Sequence, residues 1–148
     1  MSKRDRLPVA VTHLVRDTCM CLHVQRAARA VARRFDEALR PLRLTSGQFS
    51  LLMSLNRPEA ASIGQVSAVL TMDRTTLNAN LKPLERCGLL TVSVDDADRR
   101  SRRLALTPAG RSLLVRALPV WKRTQATVES LLGHSNPDAV RADLRKLS

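Results

Sequence analysis

Two capping boxes and an aspartate cap fall close together in this chain, and between them they dictate three consecutive short helices. Thr45-Ser46-Gly47-Gln48 and Ser62-Ile63-Gly64-Gln65 each place a hydroxyl three residues before a glutamine. Side chain and backbone can then exchange hydrogen bonds across the first helical turn. Phe49, Leu51, Leu52 and Leu55 follow the first box, and Ile63, Val66, Val69 and Leu70 the second, so each helix has an apolar face. Asn56-Arg57-Pro58 separates the two. Asp73 is the expected N-cap of a third helix reaching Cys87, with Thr71-Met72 in the tight turn before it. Helices this short and this closely joined pack as a helix-turn-helix.

On the third helix, Leu77, Leu81 and Leu84 share the face that packs inward, while Arg74, Thr75, Asn78, Ala79 and Lys82 lie opposite. Pro83 removes one backbone donor and bends the second half. The residues able to enter a groove therefore precede it, and Gly88 suits the left-handed stop. Leu90, Val92 and Val94 alternate with polar residues, as do Leu104 and Leu106, which makes a half-buried hairpin. Its loop carries Asp95, Asp98, Arg99 and Arg100. The two carboxylates are expected to tie the turn's backbone and to hold one of these arginines, leaving its neighbour to enter a narrow minor groove. A polar helix beside a basic hairpin is what a winged helix-turn-helix needs, so double-stranded DNA is the expected partner.

The flanks read as helices. One runs from about Asp17 to Leu42, with Val24, Ala28, Val31, Phe35, Leu39 and Leu42 as its stripe and Pro41 at its end. Thr107-Pro108 starts another, which runs to about Leu132 along Leu114, Leu118, Trp121, Gln125, Val128 and Leu132, kinked at Pro119. Gly133 ends it, and a last helix covers Asp138 to Leu147. Neither flank buries its stripe alone; a symmetric homodimer would, and it would set two recognition helices about one DNA turn apart on a palindrome. The expected fold is mainly α with a small β-hairpin wing. Residues 1–16 form a tail with a short helix, and 45–110 the winged helix-turn-helix. Residues 17–44 with 111–148 form the helical dimerisation region.

Charge agrees with a nucleic-acid partner. The 148 residues carry 25 basic side chains against 13 acidic, a net +12, and 21 of the 25 are arginine, whose planar fork suits phosphates and guanine edges. A GC-rich genome would also favour arginine. With two phenylalanines, one tryptophan and no tyrosine, the chain lacks platforms for stacking single-stranded bases. No apolar run spans a membrane and no signal core follows Met1, so no membrane partner and a cytoplasmic location are expected. An odd cysteine count argues against a secreted disulfide framework. His13, His23 and His134 have no nucleophile or carboxylate at catalytic spacing, and no Gly-rich phosphate loop occurs, so neither an enzyme nor a cofactor is expected. A non-specific architectural DNA protein would share the charge without needing the polar helix or flanking helices.

Four ordered motifs carry a resemblance. Leu44-Thr45-Ser46-Gly47-Gln48-Phe49-Ser50-Leu51-Leu52, Met72-Asp73-Arg74-Thr75-Thr76-Leu77, Leu84-Glu85-Arg86-Cys87-Gly88-Leu89-Leu90 and the stretch from Asp95 to Gly110 together resemble the MarR family of bacterial regulators. The last looks like that family's D-x-x-D-R-R-S wing followed by L-x-L-T-P-A-G. The resemblance implies a homodimeric winged helix that binds palindromic operators, usually as a repressor released by a small molecule or an oxidant. By position it makes Arg74, Thr75, Thr76 and Asn78 base- and phosphate-facing. It makes Arg99 and Arg100 wing residues, one in the minor groove and one braced by Asp95 or Asp98. Lys82 joins the DNA-facing set from its place on the helix. Where this family often has arginine, this chain has Ala79.

Three kinds of signal are open. Phe35, Phe49 and Trp121 are candidates to line an effector pocket opened by the Pro119 kink; the arginines of the first long helix would suit an anionic aromatic or acyl ligand. Cys19 and Cys21 are candidate redox thiols, near Arg16 and His23. The position of Cys21 relative to Thr45 resembles that in the family's organic-hydroperoxide-sensing branch. That branch surrounds its thiolate with tyrosines, and this chain has Gln25 and Phe35 instead. A packed interface is the plainer use for both cysteines. Cys19 and His23 stand one turn apart with only His13 nearby, and no cysteine pair has zinc-finger spacing, so no metal site is expected.

Overall fold

The computed structural model describes residues 6–148; the basic start of the tail, residues 1–5, lies outside them. The described residues form α1 (Val9–Thr18), α2 (Met20–Leu39), a 3-10 turn (Arg40–Leu42), α3 (Ser46–Ser54), β1 (Ala61–Ser62), α4 (Ile63–Leu70) and α5 (Arg74–Arg86). The hairpin strands β2 (Leu90–Val94) and β3 (Arg102–Leu106), then α6 (Pro108–Ser130) and α7 (Pro137–Lys146), complete the chain.

The cap chemistry forms as its residues require. Thr45 Oγ1 accepts from Gln48 N at 3.2 Å while Gln48 Oε1 accepts from Thr45 N at 3.0 Å. Ser62 and Gln65 repeat this at 3.1 and 2.9 Å. A further bond, Ser46 N to Asp36 Oδ1 at 2.7 Å, ties the start of α3 to α2. Together these satisfy amide donors that a helix's first turn otherwise leaves without partners.

One buried cluster joins all the layers. Leu39 of α2, Phe49, Leu51 and Leu52 of α3, Val66 of α4 and Leu77, Leu81 and Leu84 of α5 meet Leu90, Leu104 and Leu106 of the sheet. Leu113, Leu114 and Ala117 of α6 close it. The alternation in the hairpin strands sends Leu104 and Leu106 inward, and β3 lies between β1 and β2 in an antiparallel sheet. Gly88, at φ 71°, turns the chain from α5 into β2.

Several expectations are corrected. The short helix expected before the long one is α1, but it runs on to Thr18. The long helix expected from about Asp17 starts at Met20, after a break at Cys19, whose ψ of 109° is extended. Thr18 Oγ1, which donates back to Leu14 O at 2.7 Å, offers the last turn of α1 an alternative to continuing. At the other end α2 stops at Leu39, because Pro41 has no amide to continue the ladder and Arg43 adopts a φ of 56°. The α6 helix ends at Ser130, two residues early, in turns leading to Gly133 at φ 60°. The sheet also has a strand beyond the hairpin, β1, where Ala61 pairs with Leu104 and Ser62 with Arg103.

Among the described residues the apolar stripes at both ends remain open. Neither α1 nor α7 contains a buried residue; Leu14 is 60% exposed, Leu144 48% and Leu147 63%. The α2 stripe is buried only at Phe35 and Leu39. No helix among the described residues is long and apolar enough to cross a membrane.

Candidate nucleic-acid interface

The turn before α5 is held from both sides. Met72 N donates to Ser67 O at 3.0 Å, and Ser67 Oγ donates to Met72 O. Thr71 between them is left-handed at φ 49°, a conformation that costs a β-branched residue and persists because its surroundings fix it. Asp73 then caps α5, its Oδ1 accepting from Thr76 N at 2.9 Å and its Oδ2 from Thr76 Oγ1 at 2.7 Å. The Thr76 amide and then its hydroxyl hold the Asp73 carboxyl below the ordinary carboxylate range. The Thr76 hydroxyl donor is thus spent within the helix. Asn80 also turns back, donating to Thr76 O at 2.9 Å.

A depressed carboxylate pKa sets the sign of one prediction. The cap's contribution is complete above the unfolded value of roughly 3.9 and is lost as pH falls through the lower folded value. Asp73→Ala should therefore unfold at lower urea than the wild type at pH 7, and this gap should shrink toward pH 2. A gap that grows on acidification would contradict the cap.

Leu77, Leu81 and Leu84 of α5 are buried, whereas Arg74, Thr75, Asn78, Ala79 and Lys82 are exposed. Arg74 and Asn78 line a cleft of about 460 Å³ whose other walls are Ser62, Ile63 and Gly64 at the start of α4 and Arg100, Ser101 and Arg102 from the hairpin. Gly64 matters to its shape. A Cβ there would stand 3.6 Å from Arg74 Nη2, so the guanidinium lies directly over that residue. The start of α4, the exposed face of α5 and the wing thus open onto one basic hollow, suited to an anionic oxygen. Arg102 is a member that the sequence reading missed.

In the wing, Asp95 Oδ1 accepts from Ala97 N at 2.9 Å and Asp98 Oδ1 from Arg100 N at 3.0 Å. Both carboxylates therefore tie the turn's backbone. The expected brace to Arg99 or Arg100 does not form. Asp95 Oδ2 instead accepts from Arg103 Nε at 2.8 Å, and Arg103 Nη1 reaches Ala60 O at 3.1 Å. The register explains this: Arg103 pairs with Ser93, and Ser93 and Asp95 share a strand face, so Asp95 and Arg103 are diagonal neighbours. Arg99 and Arg100 sit at the turn, both exposed. The Ala97 amide first, and Arg103 after it, hold the Asp95 carboxyl below the ordinary range against the opposing effect of burial.

The effector candidates separate. Phe49 and Trp121 stack with centroids 6.3 Å apart and planes 17° from parallel. They border an opening of about 480 Å³ with Ser50, Met53 and Ser54 of α3 and Val69 and Leu70 of α4. Phe35 is buried and does not line it. Cys19, half-buried, is the N-cap of α2, and its carbonyl oxygen lies 2.8 Å from His23 Nδ1. Cys21 is exposed, and its sulfur accepts from Gln25 Nε2 at 3.4 Å. Among the described residues no group of three or more potential metal ligands gathers.

A model of the MarR family matches residues 44–101, the stretch from the first capping box through the wing. The solved structure of the Mycobacterium tuberculosis transcriptional regulator MosR in complex with DNA superposes with a TM-score of 0.80 at 36% identity, covering 87% of this chain and 92% of that one. The chain belongs to the MarR family. Its architecture is that family's winged helix. CouR, a transcriptional repressor solved on a 23-mer DNA duplex, is 28% identical with a TM-score of 0.80, covering 97% of this chain and 99% of that one. Among curated MarR-type regulators, TtmR of Methylorubrum extorquens is 33% identical over 97 residues, 66% of this chain and 50% of TtmR. The chain spans about half the length or less of the first curated relatives it matches. These relatives are regulators of transcription, not enzymes.

Proposed function

We propose that this protein is a sequence-specific DNA-binding transcriptional regulator that acts as a homodimer on a palindromic operator. The observation that carries this reading is the single basic hollow shared by Arg74 and Asn78 of α5, the start of α4, and Arg100 and Arg102 of the wing. In that reading Arg74, Thr75, Thr76, Asn78 and Lys82 face the major groove and its phosphates, and Arg99 and Arg100 the neighbouring minor groove. The DNA complexes of MosR and CouR support it. Residues 45–110 then form the DNA-reading part, and 17–44 with 111–148 the dimerisation region. The exposed stripes of α1 and α7 are the surfaces a second copy would cover. Repression released by a small molecule is the mode we infer, with the Phe49–Trp121 opening as its site; CouR is a repressor and BadR an activatory protein, so relatives work in both directions. The cytoplasm is the compartment this function requires.

Selection of bound fragments from sheared genomic DNA would supply the operator. Arg99→Ala and Arg100→Ala should each then weaken operator binding about tenfold and lower the salt slope by about one. Binding unchanged in both variants removes the wing assignment. Binding that vanishes under excess random DNA would point to an architectural protein instead. Light scattering at micromolar concentration reads the dimer directly.

A further inference from the structure

The opening beside Trp121 lies between α3, α6 and the end of α4 that leads into the turn before α5. No charged side chain lines it. Its only polar side chains are two serines, and Ser54 Oγ already donates to Leu51 O at 2.7 Å, which leaves the exposed Ser50 hydroxyl. The arginines of α2 that made an anionic ligand plausible, Arg26, Arg29 and Arg33, line a separate hollow with His23. A carboxylate against the Trp121 wall would lose its hydration and gain no cation, a cost that neutral molecules escape. A volume near 480 Å³ is within the usual range for small-molecule sites, and the nearly parallel rings of Phe49 and Trp121 present flat aromatic surface.

We propose that this opening binds an uncharged, flat, largely apolar molecule, with at most one hydrogen-bonding group directed at Ser50. Its regulatory meaning rests on the regulator reading above. Val69 and Leu70 lie between Ser67 and Met72, the two residues whose mutual hydrogen bonds set the turn before α5. A ligand pressing on Val69 and Leu70 acts on that turn, and so on the direction in which α5 leaves it.

Trp121 is the chain's only tryptophan, so its fluorescence reports from the wall of the opening. The probes are 4-nitro-1-naphthamide and 4-nitro-1-naphthoate, alike in size and quenching group and different in charge. With the full chain, the amide should quench saturably at a concentration at least about tenfold below the carboxylate. Val69→Glu, at a site 71% exposed, should weaken the amide by about tenfold. Equal or tighter binding of the carboxylate overturns the proposal. So does unchanged amide binding in Val69→Glu, or no saturable quenching by either probe, the result if a second copy of the chain fills the opening. Operator binding by the unliganded chain, measured on the same sample, tests the regulator reading separately.

Discussion

Gly110→Ala is expected to destabilise this protein by about 3 kcal/mol, the upper range for a side chain forced into occupied space. Gly110 is buried on the first turn of α6, where its amide donates to Thr107 Oγ1 at 3.1 Å. A Cβ added there would stand 2.1 Å from the carbonyl oxygen of Leu89 and 3.1 Å from Leu106 Cδ2. The obstacle is main chain, and that main chain is committed: Leu89 O accepts from Thr107 N at 3.2 Å, and Thr107 Oγ1 donates to Gly88 O at 2.6 Å. The junction of α5, the hairpin and α6 would have to part. Gly47→Ala is the control, since nothing lies within 4 Å of its missing Cβ and its helix would gain from alanine. Urea unfolding of both variants against wild type decides the matter; a Gly110→Ala midpoint equal to that of Gly47→Ala would show that α6 can move away without cost.

The second large effect falls on DNA. Arg103→Ala should lower operator affinity about tenfold, although its guanidinium is already engaged and is not offered to phosphate. Its bonds to Asp95 and Ala60 tie the wing to the segment just before α4, and thereby set the wing's place relative to α5. The salt dependence separates this role from a phosphate contact. An arginine that displaces counterions from DNA lowers the slope by about one when it is removed, and one spent on a carboxylate leaves the slope unchanged. Arg103→Ala should therefore lose affinity at constant slope, whereas Arg100→Ala should lose both. Arg103→Lys should not restore the wild type, because a point charge cannot reproduce the two directed bonds. The brace requires an ionised Asp95 and, that group's pKa being depressed, persists above the ordinary carboxylate range and fails only as pH falls through the lower folded value. A reduced slope in Arg103→Ala would put its guanidinium on the DNA instead.

What could be read beforehand was what depends on neighbours in sequence. The capping boxes at Thr45 and Ser62, the cap at Asp73 and the start at Thr107 are bonds spanning three residues, and all four form. The inward leucines of α5 follow from helical period alone. By contrast β1 has two residues and exists only because β3 lies beside it, which no local pattern encodes. The Asp95–Arg103 pair crosses the hairpin; finding it required the strand register, and the neighbouring Arg99 and Arg100 were the nearer but wrong partners. The break at Cys19 has neither glycine nor proline to announce it. Phe35 was legible as a core residue on its stripe, but which aromatics share a cavity depends on how α2, α3 and α6 cross.

Pro83 has a consequence beyond the bend expected of it. Lying inside α5, it has no amide to offer the residue four positions earlier, which is Ala79. The Ala79 carbonyl therefore has no helical donor at its usual place, on an exposed residue of the helix proposed to read bases. It is a main-chain acceptor freed from the helix ladder, beside the Pro83 ring that takes the missing amide's place, and its remaining partner is water. Alanine substitutions at the other positions of α5 would be blind to it, since each of those variants leaves the acceptor free. Only a residue that restores the amide at position 83 would withdraw it.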